Sequence, residues 1–249
     1  MNQGDLMQYW YAHIYDQQIH QGDADHILSM IGNKPLNILE VACGTGRLAI
    51  PLARAGHNVV GFDVDDAMLA RIPLKMEEFL NFKYYKTDAL KDDWGSGFDV
   101  VVMSGNILVN IVTDGDYKQA QELFIKKASN AVKHGGYLYL DFTCVKGESQ
   151  SNIGEEYVLF EGMDDLGTYG KFILVGGTYD SQTRINNGTR RYEITPKDSE
   201  MFSVTKKTVK HFPTHEQVVL WLEKYGFKVE WCNTVEDKTF HAIIWAKRM

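Results

Sequence analysis

Two glycines and a distant carboxylate have the types and spacing that could bind a nucleoside. Gly44 and Gly46 come directly after an apolar run, and Asp63 lies about twenty residues further on. Glycines let the chain reverse sharply and let a ligand approach the bare backbone. A carboxylate at this distance can accept two hydrogen bonds from a ribose diol. The alternative is that Asp63 is an ordinary surface residue at the end of a strand.

These residues must be positioned by two strands and a helix. Residues 37–41 begin with Asn37 and continue as an apolar run that only Glu40 interrupts, as expected of a strand buried on both faces. Residues 48–53 begin the apolar face of a helix, and residues 58–63 are typical of a second strand. The G-x-G-x-x-A turn at 44–49 also fits the fingerprint of dinucleotide-binding enzymes, so the turn alone leaves the ligand open.

Two segments around this turn resemble the class I S-adenosylmethionine-dependent methyltransferases. Residues 40–47, EVACGTGR, are similar to the acidic-then-glycine motif of that family, with Ala42 in place of one family glycine. Residues 61–69, GFDVDDAML, match its usual continuation. The resemblance implies S-adenosyl-L-methionine as the cofactor. The residues expected to contact it are Tyr11, Tyr15, Glu40, Ala42, Gly44, Gly46, Arg47, Asp63, Val64, Met68, Asp88, Ala89, Met103 and Ser104.

The N-terminal tyrosines have two interpretations. Tyr11 and Tyr15 are four residues apart and would share one face of a helix. The resemblance implies that such a helix covers the cofactor, where a tyrosine face attracts the positive sulfur through cation–π interaction. The alternative is that these aromatic residues anchor the helix on a sheet. The methionine carboxylate of the cofactor is expected to be bound by Arg47 or by backbone amides.

The middle of the chain continues the alternation of strands and helices. Further strands are predicted at 82–86, 98–104 and 137–142, and helices at 65–80 and 117–133, the latter ending at His134-Gly135-Gly136. Pro73 indicates a break or bend in the first of these helices.

Polar residues follow two of these strands at the edge where open α/β sheets bind ligands. Met103, Ser104 and Asn106 are expected to line the methionine end of the cofactor and the mouth of the substrate pocket. The resemblance implies that Asp88 accepts a hydrogen bond from the adenine amino group. The alternative for Asp88 is a turn cap.

The C-terminal part of the chain departs from this alternation and then returns to it. Residues 144–210 are predicted to form an inserted antiparallel β lid, with a hairpin turn at Asn186-Asn187-Gly188. A helix is predicted to start at Thr214, followed by two strands that form a hairpin. The expected fold is a Rossmann-like, seven-stranded, mostly parallel sheet with an antiparallel last strand. Its domain comprises 1–143 and 211–249.

Composition restricts the partners. The formal net charge of -7 disfavours non-specific nucleic-acid binding. Three widely spaced cysteines indicate neither a zinc site nor a disulfide framework, and no metal is expected. No signal peptide and no stretch of about eighteen apolar residues is present in the sequence. A cytoplasmic monomer or homodimer with no membrane partner is expected.

The function predicted from these features is transfer of a methyl group from S-adenosyl-L-methionine to a nitrogen or oxygen atom of a small molecule. No catalytic base is diagnosed; Asn106, His211 and Tyr192 are candidates, although a lone histidine is commonly a packing residue. Two alternatives stay open: a nicotinamide-dependent oxidoreductase on a similar glycine turn, and a non-catalytic cofactor-binding regulatory protein.

Overall fold

The computed structural model describes residues 1–17, 21–32, 34–145, 155–233 and 241–249. Its helices are α1 (Gln3–Gln17), α2 (Gln21–Ile31), α3 (Ala49–Arg54), α4 (Asp66–Leu69), α5 (Ile107–Asn110), α6 (Tyr117–Ala131) and α7 (His215–Lys224). Its strands are β1 (Asn37–Val41), β2 (Asn58–Asp63), β3 (Phe82–Lys86), β4 (Phe98–Met103), β5 (Val132–Thr143), β6 (Tyr157–Met163), β7 (Tyr169–Asp180), β8 (Ile185–Thr195), β9 (Phe202–His211), β10 (Phe227–Cys232) and β11 (His241–Arg248).

The chain divides into two compact units, each built from two stretches of sequence. The Rossmann-like unit comprises His20–Lys146 and Phe212–Met249, and the four-stranded unit comprises Met1–Ile19 and Gly147–His211. The sequence placed the N-terminal helix with the larger domain, whereas its contacts group α1 with the antiparallel strands. The functional domain boundaries stay a prediction.

The Rossmann-like unit contains a seven-stranded sheet with the order β10-β11-β5-β4-β1-β2-β3. Strand β1 pairs in parallel with both β2 and β4, and β11 pairs antiparallel with β5 and with β10. The predicted mixed sheet with its antiparallel last strand is therefore confirmed. The central strands are buried on both faces; Ile38, Leu39 and Val101 are fully buried. This burial explains the near-continuous apolar runs of their sequences.

The four-stranded unit consists of α1 packed on an antiparallel sheet with the order β6-β7-β8-β9. Trp10 of α1 is fully buried, and its indole N–H donates to the Gly162 carbonyl oxygen at 2.9 Å. A Cβ atom at Gly170 would lie 2.3 Å from the Trp10 ring. The bare backbone of β7 at Gly170 therefore lets the indole lie directly on the sheet.

Two predicted helices differ from the structure. The helix predicted at 65–80 is only the four residues of α4, followed by a 3₁₀ turn at Ile72–Leu74 that contains Pro73. The second helix, α6, ends at Ala131 because Val132 is already extended, with φ -79° and ψ 138°. Gly135 and Gly136, which were predicted to end this helix, therefore lie within β5. The predicted cap at Thr214 is confirmed, since its hydroxyl accepts from the Gln217 N–H at 3.0 Å.

The predicted hairpin turn at 186–188 is also wrong. Asn187 and Gly188 lie inside β8, paired with Thr178 and Gly177 of β7. The turn lies just before, where the Asp180 carboxylate accepts from the Gln182 N–H at 2.8 Å and Arg184 has a φ of 59°. No helix within the described ranges is long and apolar enough to span a membrane.

Candidate functional site

The glycine turn after β1 presents bare backbone at the carboxyl edge of the sheet. Gly44 and Gly46 have φ values of 54° and 78°, in the left-handed region that favours glycine. A Cβ atom at Gly44 would meet no atom within 4 Å, so the space above this residue is open. Ala42 also has a left-handed φ, of 56°. The backbone therefore turns away from β1 while leaving room for a ligand.

The Asp63 carboxylate holds this turn in place from the end of β2. One carboxylate oxygen accepts from the Gly44 N–H at 2.8 Å, and the other accepts from the Asp65 N–H at 2.9 Å. Burial raises the pKa of Asp63 above its ordinary value, and these two hydrogen bonds oppose that rise. Each oxygen keeps a second lone pair for a further donor.

A cavity of about 400 Å³ lies beside Asp63 in the Rossmann-like unit. Its volume is in the range of small-molecule sites. Of the residues that the sequence assigns to a cofactor, those lining this cavity are Ala42, Asp63, Val64, Asp88 and Ala89. They come from the ends of β1, β2 and β3, which a parallel sheet brings to the same edge.

Asp88 makes the local contacts of a turn cap. Its carboxylate accepts from the Leu90 N–H at 3.0 Å and pairs with the Lys91 ammonium at 2.9 Å. These contacts lower the pKa of Asp88, the hydrogen bond from Lys91 having the largest effect. Its capping role, the alternative raised by the sequence, therefore coexists with its position on the cavity wall.

The acidic residue of the glycine motif is buried. Glu40 is 5% exposed, and burial raises its pKa to about 8, although the Arg47 charge and a backbone hydrogen bond from Ala49 act in the opposite direction. Arg47 lies 2.8 Å from the Asp23 carboxylate of α2. Glu40 thus sits beneath the turn, and Arg47 connects the turn to α2.

The loop after β4 is fixed from the neighbouring strand by Asp141. The buried carboxylate of Asp141 accepts from the Ser104 hydroxyl, from the Gly105 N–H at 3.1 Å and from the Asn106 N–H at 2.9 Å. The Asn106 amide oxygen in turn accepts from the Thr143 hydroxyl at 2.8 Å. Ser104 and Asn106 are therefore held rigidly at the carboxyl edge, where the sequence places them.

The remaining candidates fall in different places. Tyr11 and Tyr192 lie in the core of the four-stranded unit, with ring centroids 5.9 Å apart, and Tyr15 is 6.3 Å from Tyr11. His211, at the end of β9, is buried in the same unit. Gly46, Met68 and Met103 belong to the Rossmann-like unit but do not line the cavity. The structure therefore brings five of the residues assigned to the cofactor to one cavity and divides the three catalytic candidates between the units.

Sequence reasoning missed one wall of the cavity. Ile107, Asn110 and Ile111 line it from α5 and the residue after it, and Phe124 lines it from α6. The signal was present in the short apolar segment after β4, since residues beyond that strand must lie at the same edge. The apolar surface of Ile107, Ile111 and Phe124 suits the flat face of a base.

Comparison with known proteins agrees with this geometry. Residues 38–136 match the family model described as methyltransferase domain. Over 147 residues the chain is 31% identical to a ubiquinone biosynthesis O-methyltransferase of Mesorhizobium japonicum, covering 54% of this chain and 56% of that protein. The chain thus spans little more than half the length of this curated relative.

Solved structures share the fold over nearly the whole chain. An S-adenosylmethionine-dependent methyltransferase from Clostridium acetobutylicum superposes with a TM-score of 0.72 at 18% identity, covering 95% of this chain and 97% of its own. The sugar N-methyltransferase KedS8 from Streptoalloteichus superposes with a TM-score of 0.70 at 16% identity, covering 93% and 88%. At such identities these likenesses show the fold alone.

Proposed function

We propose that the chain is a class I S-adenosylmethionine-dependent methyltransferase and that it transfers a methyl group from S-adenosyl-L-methionine to a nitrogen or oxygen atom of a small molecule. The observation that carries the proposal is the cavity beside the glycine turn, with a carboxylate from β2 and residues from β1 and β3 on its walls. The relatives' names include both an O-methyltransferase and a sugar N-methyltransferase, which keeps both acceptor atoms in the proposal.

The residues present fit this cofactor. The open space above Gly44 lets backbone N–H groups approach a ligand, as a side chain there would not. Asp63 would accept from the ribose hydroxyls, and Asp88 would accept from the adenine amino group. Ala89 and the apolar residues of α5 would contact the base. Ser104, held by Asp141, would lie at the methionine end.

Positioning accounts for much of the catalysis that such a site can supply. When bound, the cofactor supplies a methyl carbon already activated by a positive sulfur. The chain must hold an acceptor atom in line with that carbon and exclude water, and effective molarities of about 10⁵ M or more show how much positioning alone can contribute. A base is needed only when the acceptor must lose a proton in the reaction. We assign no base to this chain.

The proposal is tested by binding and by turnover. Isothermal calorimetry should show saturable binding of S-adenosyl-L-methionine and S-adenosylhomocysteine and none of NADH. Transfer of a labelled methyl group should then be followed over a panel of phenols, catechols and amino sugars. Binding of NADH in place of the sulfonium would overturn the proposal. Tight cofactor binding with no turnover on the whole panel would instead favour a regulatory protein.

A further inference from the structure

The face of the antiparallel sheet that carries Tyr192 changes character along β8. Beneath α1 the row Phe172, Tyr192 and Val204 is apolar, and its two rings stack with centroids 4.7 Å apart. Side chains alternate between faces along a strand, so every second residue continues this face. The next rows, which we call the cationic face, are Leu174-Arg190-Lys206, Gly177-Gly188-Thr208 and Tyr179-Asn186-Lys210.

Two of the three residues in the middle row of the cationic face are glycines, which leaves a floor of backbone without side chains. Gly177 and Gly188 are paired across β7 and β8. A Cβ atom at Gly177 would lie 2.9 Å from the Asn187 carbonyl oxygen, so close packing of backbone explains that glycine. At Gly188 the nearest atom is the Thr208 hydroxyl oxygen, at 3.0 Å, which can rotate away. The φ angle of Gly188 also lies outside the left-handed region. Glycine within a strand that neither φ nor backbone packing requires is typical of a site approached by a ligand.

Three cations lie on the rows on either side of these glycines. The Arg190 guanidinium carbon lies 5.5 Å from the Phe172 ring centroid, and the Lys206 ammonium lies 5.6 Å from that of Tyr192. Lys210 is half-buried on the row beyond. Burial, together with the Arg190 charge, lowers the pKa of Lys210 to about 8, so these two cations interact across the glycine row.

Arg190 is incompletely satisfied within the described part of the chain. Its Nε atom is buried and has no hydrogen-bond partner. The adjacent Arg191, on the opposite face, contrasts with it: Arg191 pairs with Glu156 at 2.6 Å and with Glu193 at 2.9 Å. A buried guanidinium donor without an acceptor is costly, and a guanidinium has the fork geometry that matches a carboxylate or phosphate.

We propose that the cationic face binds the carboxylate or phosphate group of a small organic anion, with Arg190 as the main donor, Lys206 and Lys210 as flanking charges, and Gly188 as the floor. The buried Nε atom can supply one hydrogen bond for which the described residues offer no acceptor. The site uses residues of the four-stranded unit alone, so its existence does not depend on the methyl transfer proposed above.

The test is anion binding by the full chain. Pyrophosphate and citrate are titrated separately by calorimetry at pH 7, with sodium chloride added to equalise the ionic strength. Arg190→Gln removes the main donor, and Gly188→Ala fills the floor without changing charge. Arg191→Gln is the matched control, because it removes the same charge from the neighbouring residue on the opposite face. Circular dichroism and thermal melting establish that each variant is folded.

We expect saturable binding of at least one anion, and whichever binds more tightly identifies the group. Arg190→Gln should weaken it at least 10-fold and Gly188→Ala at least 5-fold, while Arg191→Gln changes it less than 2-fold. The proposal is overturned if neither anion saturates, or if the control loses as much affinity as Arg190→Gln. If Arg190→Gln does not fold, Gly188→Ala decides alone: unchanged affinity in that variant refutes the site.

Discussion

Replacing Asp63 with asparagine tests the proposed cofactor contact. In the wild type each carboxylate oxygen accepts one backbone N–H, from Gly44 and from Asp65. An amide has only one acceptor oxygen, so the variant leaves one of these N–H groups unpaired, at about 1–3 kcal/mol of unfolding free energy. A ribose hydroxyl also loses a charged acceptor, worth about 1.5–3 kcal/mol of binding free energy. Affinity for the cofactor should therefore fall roughly 10- to 150-fold.

The two effects are measured separately. Calorimetry with S-adenosylhomocysteine gives the affinity, and thermal melting without ligand gives the stability. Asp66→Asn is the control, because Asp66 is exposed, pairs with Lys86 and does not line the cavity. Asp63→Asn with unchanged affinity would remove Asp63 from the cofactor site. An equal loss of affinity in Asp66→Asn would show that the effect is general charge rather than a contact.

Three further predictions concern the scaffold. Because the raised pKa of Glu40 makes the folded protein retain a proton that the unfolded chain releases, this group lowers stability as pH rises from 4.5 to about 8. Urea titrations should therefore show that the unfolding free energy of Glu40→Gln minus that of the wild type increases as pH rises from 4.5 to about 8. A difference that stays constant over this range contradicts the prediction. Asp141→Asn leaves loop donors such as the Gly105 N–H unpaired and should cost about 1–3 kcal/mol by the same titration. Gly170→Ala places a methyl group against the Trp10 ring and should lower the unfolding free energy by about 1–3 kcal/mol, as measured by thermal melting. An unchanged melting temperature would show that the indole can move aside.

The sequence was sufficient for the parallel sheet because its strands are buried on both faces. Residues 38–41, apart from Glu40, and residues 100–103 are apolar for that reason, and the edge to which they lead follows from topology. The glycine turn could also be predicted from the sequence, since Gly44 and Gly46 adopt backbone conformations that other residues avoid. Five of the residues assigned to the cofactor accordingly line one cavity.

The sequence was insufficient where tertiary pairing overrides a local signal. Asn187-Gly188 is a strong turn dipeptide, yet β8 continues through it because both residues pair with β7. The turn that does form depends on the Asp180 carboxylate, whose side-chain contacts leave little trace in hydrophobic periodicity. The helix predicted to reach residue 133 similarly ends two residues early, because Val132 pairs with Phe98 of β4.

The interleaving of the two units has a consequence during synthesis. Helix α1 leaves the ribosome well before the strands that bury its Met7, Trp10 and Ile14, because those strands lie more than a hundred residues later in the chain. The apolar side of α1 therefore lacks its packing partners until β6 to β9 have been translated. Strands β10 and β11 come later still, so no single division of the sequence separates the two units, and any division into two pieces splits at least one of them.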